Sequence, residues 1–160
     1  SAAGAIPRLI DMGVEPFLLT ATVKTIIAQR LIRKLTPSKQ KYFLSPAELK
    51  NLSAVADLDR VLEFLKEEKI IGKSDSWEKI PFYKPVPKGE FEDGYQGRVG
   101  MHEVLKVSPA IKEIIIGGAS QDRLEAQAKK EGMMTMLEDG VFQAALGVTT
   151  LEEVFRVVSE

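Results

Sequence analysis

Cysteine is absent from the 160 residues of this chain, and histidine occurs once, at His102. Without cysteine there can be no disulfide framework, no zinc site with thiolate ligands and no cysteine nucleophile. A metal site would need carboxylates around His102, and only Glu103 is close to it in sequence. In a strand these two neighbours point to opposite faces. We therefore expect no metal ligand and no catalytic residue here.

Long apolar runs are also missing, because no run approaches the roughly 18 residues that span a bilayer. The first residues lack the basic and then apolar pattern of a signal peptide. The sequence therefore predicts a cytoplasmic protein, and its hydrophobic fraction of 44% is enough to bury a real core. Because the chain begins at Ser1 without an initiator Met, we expect it to be a piece of a longer protein.

The chain also has no excess of charge of one sign, since it contains 22 basic and 23 acidic residues. This balance gives no overall attraction to nucleic acid or anionic lipid. Residues 24–42 are the exception, with six basic residues and no acidic one: Lys24, Arg30, Arg33, Lys34, Lys39 and Lys41. Such a segment is typically a solvated face, which we favour over contact with nucleic acid or with a nucleotide at a subunit boundary. We expect no nucleic-acid partner.

The sequence contains no P-loop pattern, GxxxxGK followed by Ser or Thr, and no acidic residue at the end of an apolar strand. The nearest glycine-rich stretch, residues 94–100, has the wrong spacing. No GxSxG nucleophile pattern occurs either. The residues alone therefore predict that this chain is not a self-sufficient enzyme.

Helix signals dominate what is present. Ser45 and Glu48 have the spacing of a capping box, and residues 57–69 carry apolar side chains on one helical face. Four further helix starts follow in residues 108–160, at Ser108, Ser120, Thr135 with Glu138, and Thr150 with Glu153. Residues 98–105 alternate as a half-buried strand, whereas residues 23–33 fit a helix and a strand equally well.

Three segments of the chain, residues 1–35, residues 94–104 and residues 131–157, resemble in the same order segments of the type II secretion and type IV pilus assembly ATPases. Residues 1–35 resemble the segment that follows the His box of that family. Residues 94–104, GYQGRVGMHEV, resemble its GYxGRxGxxE motif, and residues 131–157 resemble its C-terminal signature. The resemblance covers about two thirds of the chain and leaves residues 37–93 unmatched.

The resemblance implies an α+β fold that is mostly helical and forms the trailing part of a RecA-like P-loop ATPase core. It implies that residues 23–33 form a strand paired with the one that begins near Arg98, in a short hairpin-like pairing. The domain boundaries that follow are 1–35 for the end of the core, 36–93 for an inserted helical module, 94–107 for a return strand, and 108–160 for a C-terminal helical subdomain.

The resemblance also implies a function for the longer protein of which this chain would be a part, its parent protein. The parent would be a homohexamer that uses ATP and Mg²⁺ to act on an inner-membrane platform protein, in the cytoplasm and peripheral to the inner membrane. This fragment, without Walker A, Walker B and His box, should bind no cofactor and should not hydrolyse ATP alone. Candidates for the nucleotide cleft or a subunit interface are Arg8, Gln29, Arg30, Arg98 and Glu103. The alternative is a non-catalytic adaptor that docks on a motor or on the platform protein.

The sequence departs from this family at one feature, the tetracysteine zinc module usually found between the two strands. Because no cysteine is present, zinc is not expected. We expect instead that an apolar core around Leu58, Leu62, Leu65 and Trp77 replaces the metal in residues 36–93.

Overall fold

The computed structural model describes residues 1–118 and 120–159, so Ala119 and Glu160, both in the predicted segment 108–160, lie outside the description. The described residues combine helices with small two-stranded sheets, which confirms an α+β fold. The elements, in chain order, are α1 Ala2–Asp11, α2 Pro16–Thr22, β1 Thr25–Leu35, β2 Lys39–Tyr42, α3 Pro46–Ser53, α4 Leu58–Glu67, a 3₁₀ turn Trp77–Lys79, β3 Phe82–Pro85, β4 Tyr95–Lys106, α5 Pro109–Ile116, α6 Gln121–Lys130, α7 Met136–Ala145 and α8 Leu151–Val158.

Strands β1 and β4 pair with each other, which confirms the strand assignment for residues 23–33 and its predicted partner. The N–H of Val107 donates to the carbonyl of Lys24 at 2.9 Å, and the N–H of Thr36 donates to the carbonyl of Gly94 at 3.1 Å. Opposite ends of the two strands are therefore joined, so the pair is antiparallel.

The predicted alternation along β4 is also confirmed. Met101, Glu103 and Leu105 are buried, whereas His102 and Val104 between them are exposed. Side chains of a strand point to opposite faces in turn, so one face of β4 covers a core and the other does not.

The first of two compact units comprises Ser1–Gln29 and His102–Met136. Helices α1, α2, α5 and α6 pack on one another there and bury small and branched side chains. The buried members of this cluster are Ala2, Ala3, Ile6, Leu19, Leu105, Val107, Ile111, Ile115, Leu124, Ala128 and Met133.

The second unit comprises Arg30–Met101 and Leu137–Glu160. Its core brings together the predicted apolar residues Leu58, Leu65 and Trp77, with Leu62 packed against them, and side chains of α7 and α8. The Trp77 ring stacks on Phe82 with centroids 6.0 Å apart. Its indole N–H also donates to the carbonyl of Leu58 at 3.0 Å, so the one polar atom of the ring is satisfied.

A strand pair that the sequence pattern did not predict also lies in the second unit. Strands β2 and β3 pair antiparallel, with Lys39 opposite Pro85 and Tyr42 opposite Phe82. The four residues of β2 contain three polar side chains, so they carry no apolar alternation that would separate them from a loop.

The capping box of Ser45 and Glu48 is present at the start of α3. At α8 only half of the predicted box forms, because the Thr150 hydroxyl accepts from the N–H of Glu153 at 3.1 Å while the Glu153 carboxylate is bonded elsewhere. Among the described helices, none is both long and apolar enough to cross a bilayer.

The two units cut across the predicted segments. Residues 36–93 fall within the second unit, together with helices α7 and α8 from the predicted segment 108–160, whereas α5 and α6 from that segment fall within the first. The domain boundaries of the four predicted segments therefore remain a prediction.

Candidate functional site

A groove of about 390 Å³ opens in the second unit between β1, β4 and α8. Its walls are unusually basic, with four arginines and a single carboxylate. The lining residues are Arg30, Leu31, Arg33, Arg98, Glu153, Arg156 and Val157. Two of these arginines, Arg30 and Arg98, are among the candidates predicted from the sequence, and the structure brings them into one groove.

Backbone contacts hold the start of α8 beside β1. The N–H of Leu35 donates to the carbonyl of Val148 at 2.9 Å. The Thr149 hydroxyl donates to the carbonyl of Arg33 at 2.8 Å, and Thr149 itself is fully buried. These bonds use β1 groups that a longer sheet would otherwise pair, and they place the first turn of α8 at the wall of the groove.

Glu153 is the carboxylate at the centre of this wall, and its side chain is 0% exposed. Its Oε1 accepts from the N–H of Arg33 at 3.0 Å and from Nη2 of Arg156 at 2.8 Å. Its Oε2 accepts from Nε and Nη2 of Arg33 at 3.0 and 2.7 Å and from Nε of Arg156 at 3.0 Å. A carboxylate offers about four lone-pair positions, so the acceptor capacity of Glu153 is filled.

The protonation of Glu153 follows from these bonds. Burial disfavours its charge and by itself would raise the pKa, but the hydrogen bonds from Arg156 and Arg33 outweigh burial and lower the pKa of Glu153 to about 2. The bond to Glu153 in turn raises the pKa of Arg33. At neutral pH the groove wall therefore contains an ionised carboxylate held between two guanidinium groups.

Arg33 makes two further contacts at the rim of the groove. Its Nη1 donates to Oδ2 of Asp93 at 3.2 Å, and its guanidinium carbon lies 4.2 Å from the centroid of the Tyr95 ring. The Tyr95 hydroxyl lies 2.8 Å from the hydroxyl of Thr150. The carboxylates of Glu153 and Asp93 and the face of the Tyr95 ring thus hold Arg33 in place. This arginine is therefore part of the structural framework of the groove.

Arg30 and Arg98 are held far more loosely. Arg30 donates from Nη1 to the carbonyl of Val157 at 2.7 Å, near the C-terminus of α8, where a cation is favoured by the helix dipole. Arg98 is exposed and has no hydrogen-bond or ion-pair partner within residues 1–118 and 120–159. Neither guanidinium is neutralised by a carboxylate in the described part of the chain.

The other three predicted candidates lie in the first unit and do not form a site with one another. Arg8 on α1 and Gln29 on β1 are exposed. Glu103 is buried and accepts from the N–H of Ala2 at 2.7 Å and from the N–H of Met136 at 3.2 Å. Those residues open α1 and α7, so the Glu103 carboxylate satisfies backbone donors at two helix starts.

Sequence reasoning missed three residues of the groove as functional candidates: Arg33, Glu153 and Arg156. Arg33 belonged to the basic segment, and Glu153 and Thr150 had the spacing of a capping box. That spacing located the helix correctly, but the carboxylate bonds Arg33, which lies 120 positions away, in place of its own helix start. Only the tertiary contact shows this pairing.

Within residues 1–118 and 120–159 no group of three or more His, Asp or Glu side chains is arranged to hold a metal ion. The side chains of the groove do not favour a metal cation either, because guanidinium groups repel cations and Glu153 is fully bonded. The chemistry that this groove can supply is the binding of an anion.

The sequence matches the family profile described as "Type II/IV secretion system protein" over residues 1–156. It is similar to the type II secretion system protein E of Xanthomonas campestris, with 37% identity over 100% of this chain and 25% of that protein. It is similar to the type IV pilus assembly ATPase PilB of Pseudomonas aeruginosa, with 36% identity over 100% of this chain and 25% of that protein. It is also similar to the type II secretion system ATPase E of Vibrio cholerae, with 33% identity over 100% of this chain and 28% of that protein.

The chain thus spans about a quarter of the length of these relatives. The family match extends across both compact units and includes every residue of the groove except Val157. This chain belongs to the type II/IV secretion system protein family.

Proposed function

We propose that this chain is the C-terminal portion of a hexameric ATPase that powers type IV pilus assembly or type II protein secretion. The observation that carries the proposal is the match of residues 1–156 to the family, together with relatives whose names describe pilus assembly and secretion ATPases. Their identities of 33% to 36% run across the whole chain.

In this proposal the C-terminal portion contributes to ATP hydrolysis by the parent protein but does not itself hydrolyse ATP. The 160 residues contain no P-loop pattern, so the backbone N–H groups that would cradle a triphosphate are absent from this sequence. The β1–β4 pair is the trailing part of a RecA-like core, and the P-loop that would hold ATP with Mg²⁺ belongs to a part of the parent protein that this sequence does not contain. No zinc is required.

Arg30 and Arg98 are the residues of the portion that we place at a nucleotide cleft or at the surface of a neighbouring subunit. Both are exposed, and neither is paired with a carboxylate in the described residues. Arg8 and Gln29 are exposed side chains with the same proposed role of contacting a neighbour. For Glu103 we propose a structural role, because its carboxylate is buried and bonded to Ala2 and Met136.

The parent protein would work in the cytoplasm, at the inner membrane, as a homohexamer that acts on a platform protein and binds no nucleic acid. This part of the proposal rests on the family alone. The chain has 22 basic and 23 acidic residues. This balance of charge favours a protein surface over a nucleic acid as its partner.

Hydrolysis of ATP by the 160-residue chain and by the full-length parent protein tests the proposal. We expect activity in the parent, sedimentation of the parent as a hexamer, and no activity in the 160-residue chain. If the parent is inactive and contains no P-loop, the motor proposal is wrong, and a non-catalytic adaptor that docks on a motor or platform protein becomes the better explanation. Hydrolysis by the 160-residue chain itself would refute the division of labour proposed here.

A further inference from the structure

We propose that a second cavity of the second unit, the lysine cavity, binds the carboxyl terminus of a peptide chain whose last side chain is apolar. The cavity has a volume of about 680 Å³ and lies where the end of β1 and the starts of β2 and β4 meet the turn after α7. Its polar lining side chains include Lys34, Lys39 and Gln96, and its apolar ones include Pro37, Leu146 and Val148. The proposal does not depend on the proposed ATPase function.

The charge of the lysine cavity comes from Lys34 and Lys39, both in the basic segment described above. Lys34 has no hydrogen-bond or ion-pair partner in the described part of the chain, and no carboxylate from the described residues lines the cavity. The Nζ atom of Lys39 donates to the carbonyl of Gly147 and lies 4.9 Å from the centroid of the Tyr83 ring. Both of these partners are neutral. Two ammonium groups therefore lack a carboxylate here and attract an anion to the cavity.

The turn after α7 supplies a fixed apolar wall beside these charges. The N–H of Val148 donates to the carbonyl of Gln143 in α7 at 3.0 Å, and the carbonyl of Val148 accepts from the N–H of Leu35 in β1 at 2.9 Å. The turn is therefore held from both sides. The side chains of Leu146 and Val148 are half-buried in it, so they offer apolar surface to a ligand in a cavity that is already formed.

The lysine cavity thus contains three kinds of groups that match the end of a peptide chain. The terminal carboxylate accepts from the ammonium groups of Lys34 and Lys39. The amide of Gln96, which has no hydrogen-bond partner within the described residues, can both donate to and accept from a peptide bond. An apolar last side chain branches from the same carbon as the carboxylate, so it covers Leu146 and Val148 and removes their surface from water.

NMR titration of the isotope-labelled 160-residue chain with the peptide acetyl-Ala-Ala-Leu tests this site. We expect saturable changes of the amide shifts at Lys34, Gln96 and Val148. The same peptide with an amidated end should bind about tenfold more weakly, because it has no charge to pair with the lysines. The peptide acetyl-Ala-Ala-Ser should bind about fivefold more weakly, because it loses the apolar contact. Equal affinity for the three peptides, or no saturable change at these residues, would overturn the proposal.

The variant Lys34→Gln tests the same contact from the side of the protein. It should weaken binding of acetyl-Ala-Ala-Leu about fivefold, which corresponds to about 1 kcal/mol, the upper value for an exposed ion pair. Because Lys34 has no partner among the described residues, the melting temperature without peptide should stay unchanged. The matched control is Lys73→Gln, which removes an exposed lysine of the same unit that does not line the cavity. Equal affinity of the wild type and Lys34→Gln, or an equal loss in Lys73→Gln, would contradict the site.

Two further ligands distinguish a peptide end from other anions. Octanoate has a carboxylate and an apolar chain but no peptide bond, and inorganic phosphate has neither an apolar part nor a peptide bond. We expect both to bind about fivefold more weakly than acetyl-Ala-Ala-Leu, because neither bonds the amide of Gln96. Octanoate that binds as tightly as the peptide would overturn the assignment to a peptide end and indicate a fatty acid. Phosphate that binds as tightly would show that charge alone is sufficient, which would overturn the proposal too.

Discussion

The carboxylate of Glu153 accepts hydrogen bonds from both the backbone N–H and the guanidinium of Arg33, which lies 120 positions earlier in the chain. One acidic side chain thereby fixes the backbone of β1 and one wall of the arginine groove. Arg156, one turn further along α8, shares the same carboxylate. The stability of α8 on β1 should consequently depend on this single carboxylate.

We expect Glu153→Gln to lower the free energy of unfolding by about 2–3 kcal/mol, somewhat less than the roughly 3–5 kcal/mol that breaking a buried ion pair costs. The value is reduced because the Arg33 and Arg156 side chains are 40% and 48% exposed and regain water when the carboxylate is lost. Urea unfolding followed by circular dichroism measures the change. The control is Glu152→Gln, an exposed neighbour on the same helix that should cost less than about 0.5 kcal/mol. Equal costs for the two variants would contradict the role of Glu153.

The stability of the chain should also depend on pH through Glu153. Its pKa is about 2 in the folded protein and near 4.5 when unfolded, so the folded state favours the ionised form. The stabilisation is then complete above about pH 5 and is lost as the pH falls from 5 towards 2. Glu131 and Glu48 also have lowered pKa values, through hydrogen bonds from Gln127 and from the backbone of Ser45, so the wild type alone does not isolate Glu153.

The comparison that isolates Glu153 is the difference in unfolding free energy between the wild type and Glu153→Gln at several pH values. We expect this difference to be largest near neutral pH and to shrink between pH 5 and pH 2. A difference that stays constant over this range would show that the carboxylate is not held ionised by Arg33 and Arg156.

Elements with a local signal could be predicted from the sequence, and contacts between distant residues could not. The capping box at Ser45 and the alternation around His102 depend on neighbouring residues, so both were predicted correctly. Strand β1 fits two periodicities and was assigned only through the family resemblance. Strand β2 gave no signal, because its side chains are mostly polar.

The groove illustrates the same limit for the candidate site. Arg30 and Arg98 were predicted from matched motifs, but nothing local indicated that they share a groove. Glu153 had the spacing of a capping residue, and its real partners became apparent only when β1 and α8 were seen together. Glu103 was a site candidate because of its motif, whereas its burial and its bonds to backbone N–H groups indicate a structural role.

Gly140 in α7 should be intolerant of even a methyl group. A Cβ at this position would lie 2.8 Å from the sulfur of Met101 and would overlap a methyl group of Val154, both of which are buried. We expect Gly140→Ala to destabilise the chain by about 1–3 kcal/mol through overpacking, although alanine is the better helix former by about 1 kcal/mol. The control is Gly4→Ala in α1, where the nearest atom belongs to the flexible side chain of Gln121. We expect that variant to be neutral or slightly stabilising in thermal unfolding, and an equal loss in both would contradict the packing argument.

The core around Trp77 should stabilise the segment 36–93 without a metal. Trp77 is buried, stacks on Phe82 and donates to the carbonyl of Leu58, so Trp77→Ala should cost about 3–5 kcal/mol. Trp77→Phe keeps a ring for stacking but loses the indole donor, so we expect it to cost about 1–2 kcal/mol.

Chelation and metal analysis of the wild type complete this test, because an apolar core and a metal site predict opposite results. If the core replaces the zinc module, excess EDTA leaves the melting temperature unchanged and elemental analysis finds no stoichiometric zinc. Since the sequence has no cysteine, any bound zinc would need histidine or carboxylate ligands, and the described residues bring no three of them together. Stoichiometric zinc whose removal lowers the melting temperature, combined with a small effect of Trp77→Ala, would show that the metal and not the tryptophan core holds this segment.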